Sequence, residues 1–381
     1  MSDLLRFCKG FNPKTVNKAK TNSPTPKTHP MNSKHLKLLI ALIALLVLAN
    51  IGIQFWQPHP AATPTIGKKP RVQTTLPAPK QYAQTPFDWH SVVLESNLWK
   101  ISKAGQPDSY LLGTIHIGKT DARISPALAQ LITQNQKIIT EVADDIPEST
   151  RQSLVQAMLS DTPLSQKMGS RAFNALKQHI RSYPNAEPLL QSLDQLHPWA
   201  VLLNTLSLRE TDESNETGAD KLITAQATQQ HKPLGSLESH IEALAYFRIL
   251  AYFHVLPEEL IIAGLNDWAQ RPKKDNDKII FKAYAHGDFA RIPALLQKDT
   301  EFDPESSLSQ AQQQQLADWF VQQLIIARNR NWLPKIQAEA AKQPTLFAVG
   351  TAHLVGNQGL IMLLRNNGYQ VEPMPKLAVW Q

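Results

Sequence analysis

Two short segments of the sequence share a glycine, a threonine, one variable residue and a histidine. They are Gly113-Thr-Ile-His116 and Gly350-Thr-Ala-His353. Each follows an apolar run about as long as a buried strand, so each histidine is expected where a strand ends. Open α/β sheets bind their ligands at the carboxyl ends of parallel strands. The repeated pattern therefore indicates two functional imidazoles at one edge of a sheet.

Two acidic residues, Glu141 and Glu238, also end predicted strands. If these strands are parallel neighbours of the first two, both carboxylates join His116 and His353 at the same edge. Two imidazoles with one or two carboxylates form a divalent-metal site that leaves a position open for water. The metal would lower the pKa of that water, and a carboxylate not bound to metal could act as general base.

Other residues near these motifs have both structural and functional interpretations. A single histidine or glutamate at a strand end is often a hydrogen-bonded structural residue or a helix cap. Arg328 ends a strong helix, where its guanidinium either is solvated or stabilises an oxyanion or a substrate carboxylate. The apolar residues Leu316, Trp319, Phe320 and Leu324 have helical spacing and are expected in the core, not in a ligand site.

The predicted elements around the motifs indicate an α/β (α+β) fold. A hairpin is expected before Gly113, then a helix that begins at Ser125 and Pro126, then a strand from Lys137. This strand, helix and strand order is typical of a parallel pair. The C-terminal motif lies in a similar unit after Thr345. We therefore expect a mixed sheet with strand–loop–helix units at both ends and a large helical insertion over about 148–335.

The composition restricts the class of protein. The chain has 381 residues, 42% hydrophobic and 19% charged, with one cysteine, which excludes a fully disordered chain, a coiled coil and a disulfide scaffold. Residues 1–37 contain eight lysines and arginines and one acid, so they carry the whole net charge of +7. The rest of the chain is electrically balanced, and we expect no nucleic-acid partner because phosphate binding needs a concentrated positive surface.

The N-terminal region predicts a membrane anchor. Residues 36–56 are apolar enough and long enough to span a bilayer as a transmembrane helix. The basic tail, residues 1–35, is expected to stay in the cytoplasm by the positive-inside rule. The alternatives are a buried core helix and a cleaved signal peptide that starts at Met31.

This orientation predicts a single-pass protein of the inner (cytoplasmic) membrane whose C-terminal domain is extracytoplasmic, or periplasmic. Residues 57–86 contain seven prolines and are expected to be a semi-rigid linker. The domain would then occupy residues 87–381. It contains no cysteine, since the single one is Cys8, so disulfides cannot contribute there.

The motifs together resemble the TraB/GumN family, which includes the Tiki proteases and is related to erythromycin esterases and a haem-binding iron-uptake lipoprotein. The resemblance covers about residues 95–375. Besides both histidine motifs, it rests on short segments in the middle of the chain: Thr140-Glu141, His197-Pro-Trp199, Leu237-Glu238 and Arg328-Asn329. The chain departs from the family at His197, where a lysine is expected.

The resemblance implies an active site made of His116, Glu141 and His353, with Arg328 and Glu238 at matching positions. It also implies peptide-bond hydrolysis that depends on a divalent metal. We therefore predict a membrane-anchored, extracytoplasmic metal-dependent hydrolase for a peptide or protein substrate. The metal would be Mn, Co or Zn, held by the two histidines and Glu141.

Two alternatives remain open for the same residues. The histidine pair could bind haem or iron without turnover, or the chain could be an inert regulator that sequesters a peptide. In the hydrolase, Glu141 binds the metal or acts as base, Glu238 is a second catalytic carboxylate, and Arg328 stabilises an oxyanion.

Overall fold

The computed structural model describes residues 84–381, except 143–146, 206, 209–212, 253–256, 271–275 and 299. The predicted basic tail, the transmembrane helix at 36–56 and nearly all of the linker lie outside the described residues. Among the helices that are described, none is both long enough and apolar enough to cross a membrane.

A six-stranded mixed sheet lies at the centre of the fold. Its strands are β1 (Leu98–Ser102), β2 (Ser109–Thr114), β4 (Lys137–Val142), β6 (Leu234–Glu238), β7 (Thr345–Gly350) and β8 (Gln370–Pro373). The strand order is β6-β4-β7-β2-β1-β8, with the first four parallel and β1 antiparallel to both of its neighbours. Two short strands, β3 (Gly118–Lys119) and β5 (Glu213–Ser214), form a separate antiparallel pair. This architecture confirms the predicted α/β class and the mixed sheet.

The position of β7 differs from the expected pairing of β2 with β4. β7 lies between these two strands and is parallel to both. All six of its residues are buried, as expected for a strand covered on both faces. An apolar strand of this kind gives no sequence signal for its neighbours. Its central position places the C-terminal histidine motif directly beside the N-terminal one.

Helices fill most of the remaining chain, including the predicted insertion, which also supplies β5 and β6. The α-helices are α1 (Pro126–Gln134), α2 (Glu148–Met158), α3 (Leu164–Met168), α4 (Ser170–Arg181), α5 (Glu187–Ser192), α6 (Pro198–Thr205), α7 (Ala219–Gln229), α8 (His240–Tyr252), α9 (Glu258–Gln270), α10 (Asn276–Ala285), α11 (Ile292–Lys298), α12 (Gln310–Trp319), α13 (Arg328–Ala340) and α14 (Leu360–Asn366). There are also 3₁₀ turns at Leu193–Gln195, Phe289–Arg291 and Thr351–His353, and a π-helix at Phe320–Ala327.

Helix ends follow recognisable sequence signals. Ser125 caps α1 by accepting a hydrogen bond from the backbone N–H of Leu128, and Pro126 follows in the first turn. Ser309 and Gln312 form a capping box at the start of α12. Gly368, with a φ of 78°, ends α14 in the left-handed region. These local signals explain why the element boundaries lie close to those predicted.

The apolar residues form two cores. One surrounds the sheet and contains Trp99, Phe347 and Trp332, all almost fully buried. The other lies among the helices of the insertion. The π-helix Phe320–Ala327 contributes side chains to both cores and leads directly into Arg328. Short π-helical segments occur frequently at functional sites, and this one fixes the start of α13 beside the sheet.

Candidate active site

The four parallel strands bring the predicted residues to one edge of the sheet. Thr114 at the end of β2 pairs in register with Gly350 at the end of β7. Val142, after Glu141 in β4, pairs with Glu238 at the end of β6. The carboxyl ends of the strands are therefore level, and the side chains that follow them share one region.

Arg328 joins the two predicted carboxylates. Its Nη2 donates to Oε2 of Glu141 at 2.6 Å and to Oε1 of Glu238 at 2.7 Å, and its Nε donates to the same Glu238 oxygen at 3.0 Å. All three side chains are largely buried. Charge-assisted hydrogen bonds of this kind hold a guanidinium firmly in place. One arginine thus compensates two buried carboxylates.

Glu238 lies behind Arg328 and is enclosed on its other side by Trp332. The indole Nε1 donates to Oε2 of Glu238 at 3.0 Å, and the Arg328 guanidinium lies 4.5 Å from the ring centre of Trp332. Burial raises the pKa of Glu238 more than Arg328 lowers it. The structure therefore places Glu238 as a support for Arg328, and its predicted catalytic role stays a prediction.

The pKa of Glu141 shifts in the opposite direction to that of Glu238. Burial would raise its pKa, but the nearby Arg328 guanidinium and a hydrogen bond from the backbone N–H of Gly350, at 2.6 Å, lower it below the usual range. Glu141 therefore stays ionised under all ordinary conditions. A carboxylate of such low basicity is better suited to bind a cation than to take up a proton.

His353 is held by Asn329, which is the residue after Arg328. The side-chain Nδ2 of Asn329 donates to the backbone oxygens of His353 and Gln358, at 3.2 and 2.9 Å, so its Oδ1 is the acceptor. That oxygen lies 2.7 Å from Nδ1 of His353, which must then carry the ring proton. Nε2 keeps its lone pair and lies 3.2 Å from Nη1 of Arg328.

Burial, together with the Arg328 cation, lowers the pKa of His353 to about 3. In the unfolded chain this histidine takes up a proton below about pH 6.5, while in the folded chain it stays neutral. We therefore expect the free energy of unfolding to fall as the pH falls from 6.5 to 5, by up to about 1.4 kcal/mol per pH unit. Urea unfolding of the full chain, with a chelator present, measures this slope.

The test variant is His353→Gln. The matched control is His90→Gln, because His90 is exposed. The His353→Gln chain should lose most of this pH dependence, and the His90→Gln chain should keep it. The same slope in the His353→Gln chain would show that His353 is not the group responsible.

His116 is more accessible than the other site residues, with 51% of its side chain exposed. Its Nδ1 lies 3.1 Å from Oδ1 of the buried Asp220, in the first turn of α7. The contact is close but is not aligned as a hydrogen bond, so the carboxylate acts on the ring through its charge. Gly218 permits this approach, because a Cβ there would lie 2.5 Å from the backbone oxygen of His116.

Three of the predicted groups meet at Gly350. A Cβ built on this glycine would lie 3.1 Å from Oε1 of Glu141, 3.6 Å from Nε2 of His116 and 3.6 Å from Cδ2 of His353. The two imidazoles, which come from opposite ends of the domain, and the ionised carboxylate therefore all lie within 4 Å of one point.

The donor chemistry of this cluster fits a divalent metal ion. Asn329 holds the proton of His353 on Nδ1, so Nε2 carries a lone pair, His116 contributes a second imidazole, and Glu141 adds an ionised oxygen. Within the described ranges, however, no three histidine, cysteine or acidic side chains are arranged as a ready metal-binding group. The guanidinium of Arg328 instead hydrogen-bonds Glu141 and lies against Nε2 of His353. The metal-binding roles of these residues stay a prediction.

A cavity of about 350 Å³ opens beside the cluster. The site residues that line it are His116, Glu141, Arg328, Gly350 and His353, and its remaining walls are mostly apolar. A cavity with a few convergent polar groups and perturbed pKa values is the usual form of a ligand or catalytic site. The position of the cavity makes the cluster accessible to a substrate.

Sequence reasoning missed three residues of this site. Asp220 lies in the first turn of a helix, where acids are common for their interaction with the helix dipole, so its type carried no special signal. Trp332 and the role of Asn329 depend on contacts across the fold. The spacing of Arg328, Asn329 and Trp332 along one helix turn was the signal that could have linked them.

A strand edge that gathers two imidazoles, two carboxylates and a guanidinium beside a cavity defines an α/β protein with an enzyme-like site. The chain belongs to the TraB/PrgY/gumN family, because the family model matches residues 97–373. This finding confirms the resemblance seen in the sequence. No solved structure matches the chain.

Several curated relatives are similar to the chain. A protein named metalloprotease TIKI homolog from Nematostella vectensis is 24% identical over 324 residues, which is 73% of this chain and 66% of that protein. Metalloprotease TIKI1 from Danio rerio is 24% identical over 74% of this chain and 64% of its own length. Metalloprotease TIKI2 from the same fish is 25% identical over 74% and 61%. The chain thus spans slightly less than two thirds of these relatives.

Proposed function

We propose that this protein is a hydrolase of peptide bonds that uses a divalent metal ion. The observation that carries the proposal is the meeting of Glu141, His116 and His353 around Gly350, at the wall of an open cavity. The names of the relatives support the same class of reaction, since they are called metalloproteases.

The proposed roles follow from exposure and charge. His116 is the half-exposed imidazole, and Asp220 behind it stabilises the ring when it takes a proton from water, so His116 is the proposed general base. Arg328 lines the cavity and would stabilise the negative charge that develops on a substrate carbonyl oxygen. Glu238 and Trp332 keep the guanidinium in position.

The metal ion would be held by Nε2 of His353, Nε2 of His116 and the carboxylate of Glu141, with Mn, Co or Zn as the candidate ions. When bound, it would supply Lewis-acid polarisation of the substrate carbonyl. Asn329 and Asp220 would fix the two rings for this task, as orienting partners of metal-bound histidines commonly do. The Nε2 lone pair of His116 cannot bind the ion and accept a proton at once, so during turnover His353 and Glu141 would hold the ion and His116 would act as base.

The haem-binding alternative has less support. Nε2 of His353 lies 3.2 Å from Nη1 of Arg328 and 3.9 Å from Oε1 of Glu141. A porphyrin needs more space next to Nε2 than a single ion does, and these two side chains lie there. Titration of the full chain with haem should therefore give no Soret band that depends on His353.

The experiment that tests the hydrolase is cleavage of a mixed peptide library by the full chain, with mass spectrometry of the products. We expect cleavage after addition of Mn²⁺, Co²⁺ or Zn²⁺, and its loss with a chelator. The Glu141→Gln chain, which keeps the shape of the side chain but removes its charge, should be inactive. Cleavage that is equal in the Glu141→Gln chain would come from a contaminant and would refute the proposal.

We also propose that residues 36–56 anchor the domain at the outer face of the cytoplasmic membrane. Support comes from the apolar span and from the basic residues before it. The full chain should resist alkaline extraction from membranes, and protease added outside spheroplasts should digest its C-terminal domain. Release by alkali, or protection from the protease, would contradict this proposal.

A further inference from the structure

The cavity beside the site has two chemically different sides. The polar side consists of the strand ends and Arg328, described above. The helical insertion supplies most of the remaining lining, which is mostly apolar but also contains the buried Asp220 and Lys221. Its apolar residues include Phe247 of α8, Ile280 of α10, Ile292 and Leu296 of α11, and Phe320 and Leu324 of the π-helix.

The π-helix connects the two sides directly. Phe320, Leu324 and Arg328 follow one another at intervals of four residues, and all three line the cavity. Sequence analysis assigns Phe320 and Leu324 to the core. Both do contact the core cluster of the insertion, but they also face the cavity. The apolar wall and the guanidinium of the site are therefore parts of one rigid element.

We infer that the cavity is the specificity pocket of the proposed peptidase and accepts a large apolar side chain next to the bond that is cut. The inference rests on the proposed function. The substrate side chain enters the apolar part of the cavity, and the scissile bond lies beside the strand ends and Arg328. A volume of about 350 Å³ is near the lower end of small-molecule pockets, which suits one or two side chains and not a folded domain.

The test uses a set of fluorogenic peptides that differ at one residue, which is alanine, leucine, phenylalanine, aspartate or lysine, placed in turn on each side of the cleaved bond. For one of these positions we expect kcat/KM to be about 10 to 200-fold higher with leucine or phenylalanine than with alanine, and lowest with aspartate. A hydrophobic pocket distinguishes substrates by about this factor in kcat/KM when one substrate lacks apolar groups that the other has.

Two substitutions that fill the pocket identify it as the cause. Ile280→Trp and Leu296→Trp change half-buried residues on separate helices, and both should remove the preference for large side chains while the alanine peptide is still cut. The matched control is Ile279→Trp, because Ile279 is the adjacent residue and is exposed. Peptides cut with no apolar preference, or a preference unchanged in both filled variants, would overturn the inference and leave the proposed function intact.

A binding measurement separates the two ideas if no peptide is cut. The neutral fluorophore N-phenyl-1-naphthylamine should bind the full chain and be displaced by the leucine peptide but not by the aspartate peptide. Its binding should weaken in the Ile280→Trp chain and stay unchanged in the Ile279→Trp control. In that case the proposed hydrolysis fails and the pocket stands. If neither peptide displaces the fluorophore, or both do equally, the inference fails.

Discussion

Replacing Arg328 with alanine is expected to lower the free energy of unfolding by about 3–5 kcal/mol. Arg328 compensates Glu141 and Glu238, which are both buried. Without the guanidinium these carboxylates repel each other and have lost their main partner, and a buried charge without a partner is strongly destabilising. Chemical denaturation at neutral pH, followed by tryptophan fluorescence, measures the effect.

The neighbouring Arg330 provides the matched control. It is exposed and hydrogen-bonds only the side chain of Gln358 among the contacts described. Arg330→Ala should change the free energy of unfolding by no more than about 0.5 kcal/mol. Adding Glu238→Gln to the Arg328→Ala chain removes one of the two stranded charges and should restore part of the stability. Equal stability of the two arginine variants would contradict the role given to Arg328.

His116→Gln is expected to reduce kcat/KM for peptide cleavage by about 10² to 10⁴-fold, the range for loss of a general base. Because about half of the side chain is exposed, the free energy of unfolding should change little. This combination distinguishes a catalytic imidazole from a structural one. Initial rates with a cleaved peptide, and denaturation of the same samples, test both parts.

Asp220 should act through His116. Asp220→Asn keeps the shape of the side chain but removes the charge that faces Nδ1 of His116. We therefore expect kcat/KM for peptide cleavage to fall by about 10 to 100-fold. His286→Gln, at an exposed histidine that hydrogen-bonds only its own helix backbone among the contacts described, is the control and should keep full activity. If His116→Gln retained activity within threefold, the catalytic role of that histidine would be wrong.

The sequence was informative where the signal was local. The Gly-Thr-x-His repeat, the acids at the ends of β4 and β6, and the helix caps all depend on a few adjacent residues. These signals predicted the ends of β2 and β7 and four members of the cluster, which are His116, Glu141, Glu238 and His353. The approach of His116 and His353 to Gly350 required in addition that β7 pair with β2, for which there was no local signal.

The sequence was uninformative where the signal came from the three-dimensional arrangement. β7 can lie between β2 and β4 because both of its faces are apolar. Any apolar strand meets this condition, so the sequence does not indicate which strands are its neighbours. The position of Glu238 behind Arg328 depends on the path of α13 past the end of β6. Asp220 reaches His116 only because Gly218 permits the chain to pass close to it. Phe320 and Leu324 contact both the core and the cavity, which their helical spacing alone cannot show.

The central claim is that His116 and His353 act in one site although they come from opposite ends of the domain. The most direct measurement is kcat/KM of peptide cleavage for His116→Gln, His353→Gln and the double variant. Residues that act as one unit have strongly non-additive effects, so the double variant should be no more impaired than the worse single variant. If the two losses instead multiply, the histidines act independently and the single-site account is contradicted.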